Sequence, residues 1–580
     1  MLKIYKTLRP YLSGEGRVFW LGVLSLLVVD GLQIVIPRIV RVGIDRLALG
    51  FATPKFLLKL AGIILLLTIG IAISRFFWRY LIIGISRRME MRFRHDFYKH
   101  LISLEPGWFA KNKVGNLMAL ATNDLNSVRM MVGIGTAALI DTAILLVASI
   151  SMMLIINANL TAYIVPPMLV LSFVVGYFGN IMRKRFKEVQ AAFASLTDFA
   201  REAISGIRII KTYAREEAET ERFRERSWDF VKKNIRMLII SGLLEPSIGF
   251  VVGMVFALIL LVGGTKVVLM KMSMGDFVAF NSYLGLMIWP MIALGWVVNL
   301  YQRGKASLER IMDVMKRKPA IVSPPDAYKP EKVRGEIVFR NLTFHYEDYL
   351  PPALEDINLK IDEGMFVAIT GRTGSGKTTL ISLIPRLYDP PEGTVFVDGV
   401  DVRKYDLDAL RGSIGLVPQD GYIFSDTIME NIKFGRPDAT DEEAIRAAKI
   451  AELDVDVRTF PDGYNSMVGE RGVTLSGGQK QRLAIARALL LDPPILILDD
   501  ALSAVDTETE SKIFHNLKEF RQGKTTLFIS HRVTTLQDAD LIVVLDRGRI
   551  IEVGTHQELI EKKGYYYEIY MLQQYESELV

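Results

Sequence analysis

Six apolar stretches lie ahead of residue 305, at about 18–36, 56–77, 132–156, 160–182, 237–262 and 277–300. Each comes near the roughly 20 residues that a helix needs to cross a hydrocarbon core. Lipid offers no hydrogen bonds to a bare backbone, so such stretches must fold as helices. The spans fall in pairs. Asn157 to Asn159 is a tight uncharged turn between the third and fourth, whereas the second-to-third and fourth-to-fifth connections each run to about 50 polar residues of helical period. Arg79, Arg87, Arg88, Arg92, Arg94, Lys99, Lys111 and Lys113 follow the second span, and Arg183, Lys184, Arg185 and Lys187 follow the fourth. Excess positive charge marks the cytoplasmic side, so both long loops are expected there. Arg38, Arg41 and Arg46, after the first span, run against that rule.

Half of the residues are apolar and 23% are charged, which suits an oily half joined to a soluble half. The net charge of +6 is concentrated around the spans, so it points to anionic lipid headgroups; no nucleic-acid motif is present and no nucleic-acid partner is expected. The absence of cysteine excludes disulfides and thiolate metal sites. MLKIYKTLRPYL, at the N-terminus, has basic residues and an apolar face without a small-residue cleavage site, and reads as a helix lying in the membrane interface.

Each long loop carries a helix break. Glu105-Pro106-Gly107-Trp108-Phe109 leads to Gly115 in the first, and Ser205-Gly206-Ile207-Arg208-Ile209-Ile210-Lys211 to Tyr213 in the second. A short transverse helix at each tip would give a partner domain a handle; simple loop capping is the plainer alternative. Polar residues inside the spans, Asp30, Gln33, Asp141, Glu245, Asn281 and Asn299, are candidates for lining a substrate path or for joining helices. Met287, Trp289, Met291 and Trp296 suit an adaptable apolar cavity and helix packing equally.

Beyond Arg310 the character changes. Residues 316–335 are Pro- and Lys-rich, a linker by composition, and from Gly335 strands alternate with helices as in an α/β domain. Gly371-Arg372-Thr373-Gly374-Ser375-Gly376-Lys377-Thr378-Thr379 fits G-x-x-x-x-G-K-[ST], after a strand 366–370 and opening a helix 379–387. Such a loop brings backbone N–H groups and a helix N-terminus to phosphates, with Lys377 on the outer phosphates and Thr378 on Mg²⁺. The apolar run from Ile495 ends in Asp499, a candidate Mg²⁺ ligand, and Asp500. Gln419 follows the strand 414–418 and can touch metal or water without adding charge. His531, after the strand 526–530, lies at the same sheet edge and could reach a γ-phosphate.

These residues resemble the ABC transporters, specifically exporters in which six membrane helices are fused to one ATPase domain. The resemblance implies a membrane all-α bundle of six transmembrane helices with long cytoplasmic extensions, fused to an α/β P-loop ABC ATPase domain. The expected boundaries are 1–315 for the transmembrane domain, 316–335 for the linker, 336–570 for the nucleotide-binding domain and 571–580 for a C-terminal tail. It further implies ATP and Mg²⁺ as cofactors, with Tyr346 stacking on adenine, Gly371 to Thr379 as the Walker A loop and Gln419 as the Q-loop. Ser476, Gly477, Gly478 and Gln479 would form the ABC signature, Asp499 would close Walker B, Ser503 to Asp506 would be the D-loop and His531 the switch histidine. Val468 to Gly472 looks like the segment by which exporters touch the membrane domain's loops, and the turns near Trp108 and Ile209 would be coupling helices. Two such domains would dimerise head to tail, each nucleotide lying between one Walker A and the other chain's signature.

One departure matters. The family normally places Glu after the Walker B Asp to polarise the attacking water, and this chain has Asp500. Asp500, Gln419 and His531 are therefore the catalytic candidates of a slowly hydrolysing site, while the intact signature can complete a good site on a partner that supplies Glu. The expected molecule is one subunit of a heterodimer in the cell membrane, nearest the TmrB-type, degenerate-site subunit of heterodimeric multidrug exporters. Its N-terminus and ATPase domain would be cytoplasmic, and its cargo a hydrophobic small molecule, lipid or peptide. A homodimeric lipid or drug flippase and an ATP-gated channel or regulatory subunit are the alternatives. No peptidase domain ahead of the first span is expected, which weighs against a leader-peptide-processing exporter.

Overall fold

The computed structural model describes residues 2–469 and 474–578. The chain divides into two units, one formed by Met1–Ile102 with Lys113–Arg317 and the other by Ser103–Asn112 with Lys318–Val580.

The first unit is helical throughout: α1 (Leu2–Leu12), α2 (Gly16–Ala48), α3 (Pro54–Ile102), then α4 (Pro106–Lys111) of the other unit, α5 (Val114–Ala119), α6 (Leu125–Met130), α7 (Thr136–Ser205), α8 (Ile207–Thr212), α9 (Glu216–Leu258), α10 (Gly264–Val268) and α11 (Met274–Met315). Short π-helical turns join α5 to α6, α6 to α7 and α9 to α10, so these run as longer rods. Among the described residues, five continuous helices are long and apolar enough to cross a membrane. They carry the six apolar spans because α7 holds two, breaking helical geometry at Asn157 (φ −160°, ψ 101°). The Asn157 side chain accepts from the Leu160 N–H (3.0 Å) and from Lys266 Nζ (2.7 Å), which pins that turn. At 49 residues, α3 is about 74 Å long, far beyond the ~30 Å of hydrocarbon, so its charged second half extends into water.

Two of the three basic residues after the first span are absorbed locally. Arg41 pairs with Asp276 at 2.8 Å, Asp45 accepts from the Gly275 N–H at 2.7 Å, and Arg46 lies over the Phe56 ring. Their charge is spent on ties between α2, α3 and α11. Met287 and Met291 are buried beside Phe280 and Tyr283, in a core shared with Met153, Ile164 and Val255. Trp289 and Trp296, by contrast, face outward. At the other end of the bundle Leu8 of α1 packs with Met89, Phe93 and Phe97 of α3, and Glu15 receives Arg88 in a two-pronged pair (2.7 and 2.9 Å).

The second unit contains two sheets. A four-stranded antiparallel sheet has the order β2-β1-β4-β5, from β1 (Ile337–Phe344), β2 (Leu354–Ile361), β4 (Val395–Val397) and β5 (Val400–Asp401). The larger sheet has the order β10-β9-β3-β8-β7-β6, from β3 (Phe366–Gly371), β6 (Ile414–Val417), β7 (Ile495–Asp499), β8 (Thr525–Ile529), β9 (Leu541–Asp546) and β10 (Arg549–Gly554). All its pairings are parallel except β10 on β9. β3, β7 and β8 are buried along their whole length, which is why they read as unbroken apolar runs. The strand-rich core and a separate helical core, built on Ile428, Ile432, Ala444, Leu483 and Ile485, lie on opposite sides of this sheet.

Residues 318–335 are not a free tether. The Tyr328 N–H donates to Lys404 O at 2.7 Å, its ring meets Tyr405 edge-on, and the Leu407 N–H donates to Ser323 Oγ at 2.9 Å. The C-terminal helix Tyr565–Glu578 runs through the expected start of a tail at 571.

Candidate functional site

Four strands of the larger sheet deliver four expected site residues to one edge. Gly371 ends β3, Asp499 ends β7, Gln419 follows β6 by two residues, and His531 follows β8 by two. Ligands bind at this carboxyl edge of a parallel sheet because the chain must leave the sheet there in loops.

Between β3 and the helix α12 (Lys377–Leu383) the loop takes positive φ at Gly371 (143°), Gly374 (79°) and Gly376 (99°). A Cβ on Gly376 would sit 2.7 Å from Ala353 O, so glycine is required there for space as well as for φ. The helix begins at Lys377, two residues earlier than expected, because Gly376 is its N-terminal cap and the lysine must stand in the first turn. Lys377 is buried and its Nζ donates to Gly371 O and Arg372 O, both at 2.9 Å. Burial lowers the proton affinity of its amine, and Asp500 and Asp499 oppose that shift. Ser375 Oγ is buried without a hydrogen-bond partner, as a hydroxyl waiting for a phosphate oxygen would be.

Thr378 Oγ1 donates to Asp499 Oδ1 at 3.1 Å. A hydroxyl and a carboxylate at this separation are oxygen donors suited to a hard cation, and no cluster of three or more His, Asp or Glu competes among the described residues. Burial pushes the Asp499 carboxyl up, with Asp500 adding to the shift and Thr378 and Lys377 opposing it. Asp500 is also pushed up by burial, against the pull of His531, Lys377, Arg532 and Gln419. It holds a left-handed φ of 48°, and its Oδ2 receives a long 3.4 Å hydrogen bond from Gln419 Nε2. Asp500 and His531 line one cavity of about 130 Å³ together with Ser503 and Arg532. His531 is exposed as a whole; partial burial and Lys377 lower its proton affinity while Asp500 raises it.

A second cleft, of about 510 Å³, is lined by Tyr346, Gly374, Ser375, Gly376 and Lys377 to Thr379. The Tyr346 hydroxyl hydrogen-bonds Thr379 Oγ1 at 2.8 Å, and its ring packs edge-on against Tyr388. Pro352, Ala353, Arg547 and Gly548 share this cleft. They were not among the expected site residues; an Arg-Gly turn after the apolar run 541–545 was the available signal.

Ser476, Gly477, Gly478 and Gln479 line neither cavity. They open α17, the helix Gly477–Leu490, where Ser476 and Gln479 satisfy each other's backbone N–H groups in a capping box. Gly478 lies so close to Ala504 O that a Cβ would sit 2.9 Å from it. Asp506 caps the following helix, Thr507–Phe520, by accepting from the Thr509 N–H at 2.9 Å. Val468 is buried, while 470–472 of the expected loop-contacting segment lie outside the described residues.

α4 belongs with this unit. Trp108 is buried, Lys111 pairs with Glu347, and Glu105 Oε2 accepts from the Ala320 N–H at 3.1 Å. α8, at the tip of the other loop, buries none of its residues.

Residues 19–291 match the model of the ABC transporter transmembrane region, and residues 354–503 that of the ABC transporter. The chain belongs to the ABC transporter family. It is a half-transporter, a transmembrane region fused to an ATP-binding, ATP-hydrolysing domain. Among ABC transporters it is 39% identical to the probable multidrug resistance ABC transporter ATP-binding/permease protein YheI of Bacillus subtilis, covering 99% of this chain and 98% of that protein. It is 37% identical to the multidrug resistance-like ATP-binding protein MdlA of Escherichia coli, covering 100% and 98%. Its fold matches a solved bacterial Atm1-family ABC exporter with ATP bound, with a TM-score of 0.78 at 26% identity over 97% of this chain and 99% of that one.

Proposed function

We propose that this chain is one subunit of a heterodimeric exporter that uses ATP to move hydrophobic or amphipathic compounds across the cell membrane, and that its own Walker site is the slow one. The observation that carries this reading is Asp500 immediately after the C-terminal end of β7, with a hydrogen bond to Gln419 no shorter than 3.4 Å. A carboxylate one methylene shorter than Glu stands back by roughly 1.5 Å from the attacking water. A displacement of about that size costs on the order of 100-fold in rate.

The remaining parts of the site favour nucleotide binding. Lys377 and the N-terminus of α12 attract the phosphates, Tyr346 offers its ring to the base, and Thr378 and Asp499, with Gln419 beside them, would hold Mg²⁺. The metal supplies charge neutralisation at the phosphates; this chain's residues orient and hold. His531 stands across the cavity from Asp500, where it can donate to the transferred phosphate. A partner with Glu in the place of Asp500 would borrow this chain's Ser476 to Gln479 at the open N-terminus of α17. Coupling would run through α4, and the exposed Ile207 and Ile209 of α8, with Tyr213 just after it, would dock on the partner's ATPase domain. Multidrug names among the relatives favour an amphipathic cargo. The arginine and lysine excess in the long loops favours a cytoplasmic ATPase domain.

The test is to purify the chain alone and with a candidate partner carrying Glu. The pair should hydrolyse ATP at least tenfold faster and concentrate a lipophilic dye in inverted vesicles. Equal turnover by the chain alone would overturn the heterodimer, and ATP-dependent dye flux without accumulation would indicate a channel.

A further inference from the structure

Gln573 lies outside the nucleotide site and is nevertheless tied to it. It belongs to the C-terminal helix Tyr565–Glu578, 42 residues after His531. Its Oε1 accepts from the Val533 N–H at 2.8 Å, and its Nε2 donates to the His531 carbonyl at 2.7 Å. Among the described residues no other hydrogen bond reaches either group. Val533 opens the short helix Val533–Leu536, and the first N–H of a helix has no partner within it, so a side chain supplies one here. A side-chain amide can accept on one side and donate on the other, and Gln573 does both at once.

The helix that carries this amide is itself anchored. Its first two N–H groups, of Tyr565 and Tyr566, donate to Glu552 at 2.6 and 3.1 Å, and the fully buried Tyr566 meets His556 Nδ1 through its hydroxyl at 2.8 Å. Gln573 follows Tyr566 by seven residues, about two helical turns, so the buried ring and the amide share a face. Arg372 of the phosphate loop lies over the Tyr565 ring at 5.3 Å. One helix therefore touches the phosphate loop at its start and the His531 loop two turns on. On the other side of that loop Arg532 donates to Val505 O at 3.0 Å and pairs with Glu510, which fixes Arg532 but leaves its two neighbours to Gln573. The His531 ring makes no hydrogen bond among the described residues, so the backbone that carries it sets its aim.

We propose that Gln573 is a positioning residue for ATP hydrolysis: by holding the backbone on both sides of Arg532, it fixes where His531 points across the cavity it shares with Asp500. Gln573 lines neither cavity of the nucleotide site and acts only through His531. Removing its amide frees a carbonyl and an N–H in the loop that carries the ring, and a misplacement of about 1 Å at a reacting centre is costly in rate. This role rests on the reading of His531 as the group that meets the transferred phosphate, and is independent of whether the chain pairs with a different partner.

The experiment is single-turnover ATP hydrolysis by the full chain in lipid nanodiscs, with ATP affinity measured beside it, for the wild type, Gln573→Ala, His531→Ala and the double variant. Gln573→Ala should slow hydrolysis by about 10-fold and leave ATP affinity unchanged. Gln573→Met, which keeps the length of the side chain and loses both hydrogen bonds, should match it. The double variant should be no slower than His531→Ala alone, because two residues that act as one unit do not add. A wild-type rate in Gln573→Ala while His531→Ala is slow overturns the proposal and spares the reading of His531. An additive loss in the double variant, or a loss of ATP affinity in step with the rate, also overturns it, since either marks general damage to the domain. A wild-type rate in His531→Ala overturns the reading of His531 and this role with it.

Discussion

Thr378 Oγ1 and Asp499 Oδ1 stand 3.1 Å apart, although 120 residues of chain separate their positions. One stands in the first turn of α12 and the other closes β7, and the order of the large sheet brings the two ends together. Asp499→Asn should remove the charge that favours Mg²⁺ and leave the fold intact. Nucleotide binding measured with and without Mg²⁺ should differ at least tenfold in the wild type, about 1.4 kcal/mol, and hardly at all in the variant.

Asp500→Glu should raise ATP turnover at this chain's own site by about 10- to 100-fold. Asp500→Asn should lower the residual turnover further without weakening ATP binding. Single-turnover hydrolysis separates the two, and an unchanged rate in Asp500→Glu would show that carboxylate reach does not limit this site.

Gly376→Ala places a methyl group against Ala353 O at a φ of 99°. The expected cost is about 1–3 kcal/mol, together with loss of nucleotide binding, because the same backbone forms the cradle. Thermal unfolding with and without ATP reads both effects.

Arg521 is buried and donates to the carbonyls of Pro493, Pro494 and Thr525 and to Thr526 Oγ1, tying the starts of β7 and β8 together. Burial lowers its guanidinium to about 10, so it stays charged at neutral pH. Arg521→Met leaves those buried acceptors without a donor and should cost about 3 kcal/mol by denaturant unfolding. Sequence alone did not single out Arg521, since an arginine after a helix reads as surface until the carbonyls around it are known.

Asp124 accepts from Ser307 Oγ at 2.7 Å and from Arg310 Nε at 3.1 Å. Burial by itself would raise this carboxyl, but the hydrogen bonds from Arg310 and Ser307 and the charge of Arg310 outweigh it and hold it below its ordinary value. A carboxyl depressed on folding contributes fully above the unfolded value of about 3.9, and its contribution is lost as pH falls through the lower folded value. Melting temperatures of the wild type and Asp124→Asn should therefore differ most near neutral pH and converge below about pH 4.

Sequence by itself determined the parts whose physics is local. Apolar length specified the membrane helices, Gly371 to Thr379 specified a phosphate loop, and the run 495–498 specified a strand ending in carboxylates. Each rests on a period or a conformational demand carried by neighbouring residues. Asn157 was legible for the same reason, as a turn residue between two apolar runs. Tertiary structure alone decided which distant groups meet. It joined residues 318–335 to the ATPase unit through Tyr328 and Tyr405, gave the tip at Trp108 to that unit while leaving α8 uncovered, and added Arg547 and Gly548 to the phosphate cleft. It also buried Asp30 completely while leaving Glu245 exposed, although both are polar residues inside apolar spans. Helix periodicity tells which side of its own helix a residue occupies. Which neighbour covers that side depends on packing between elements far apart in the chain, and no local signal encodes it.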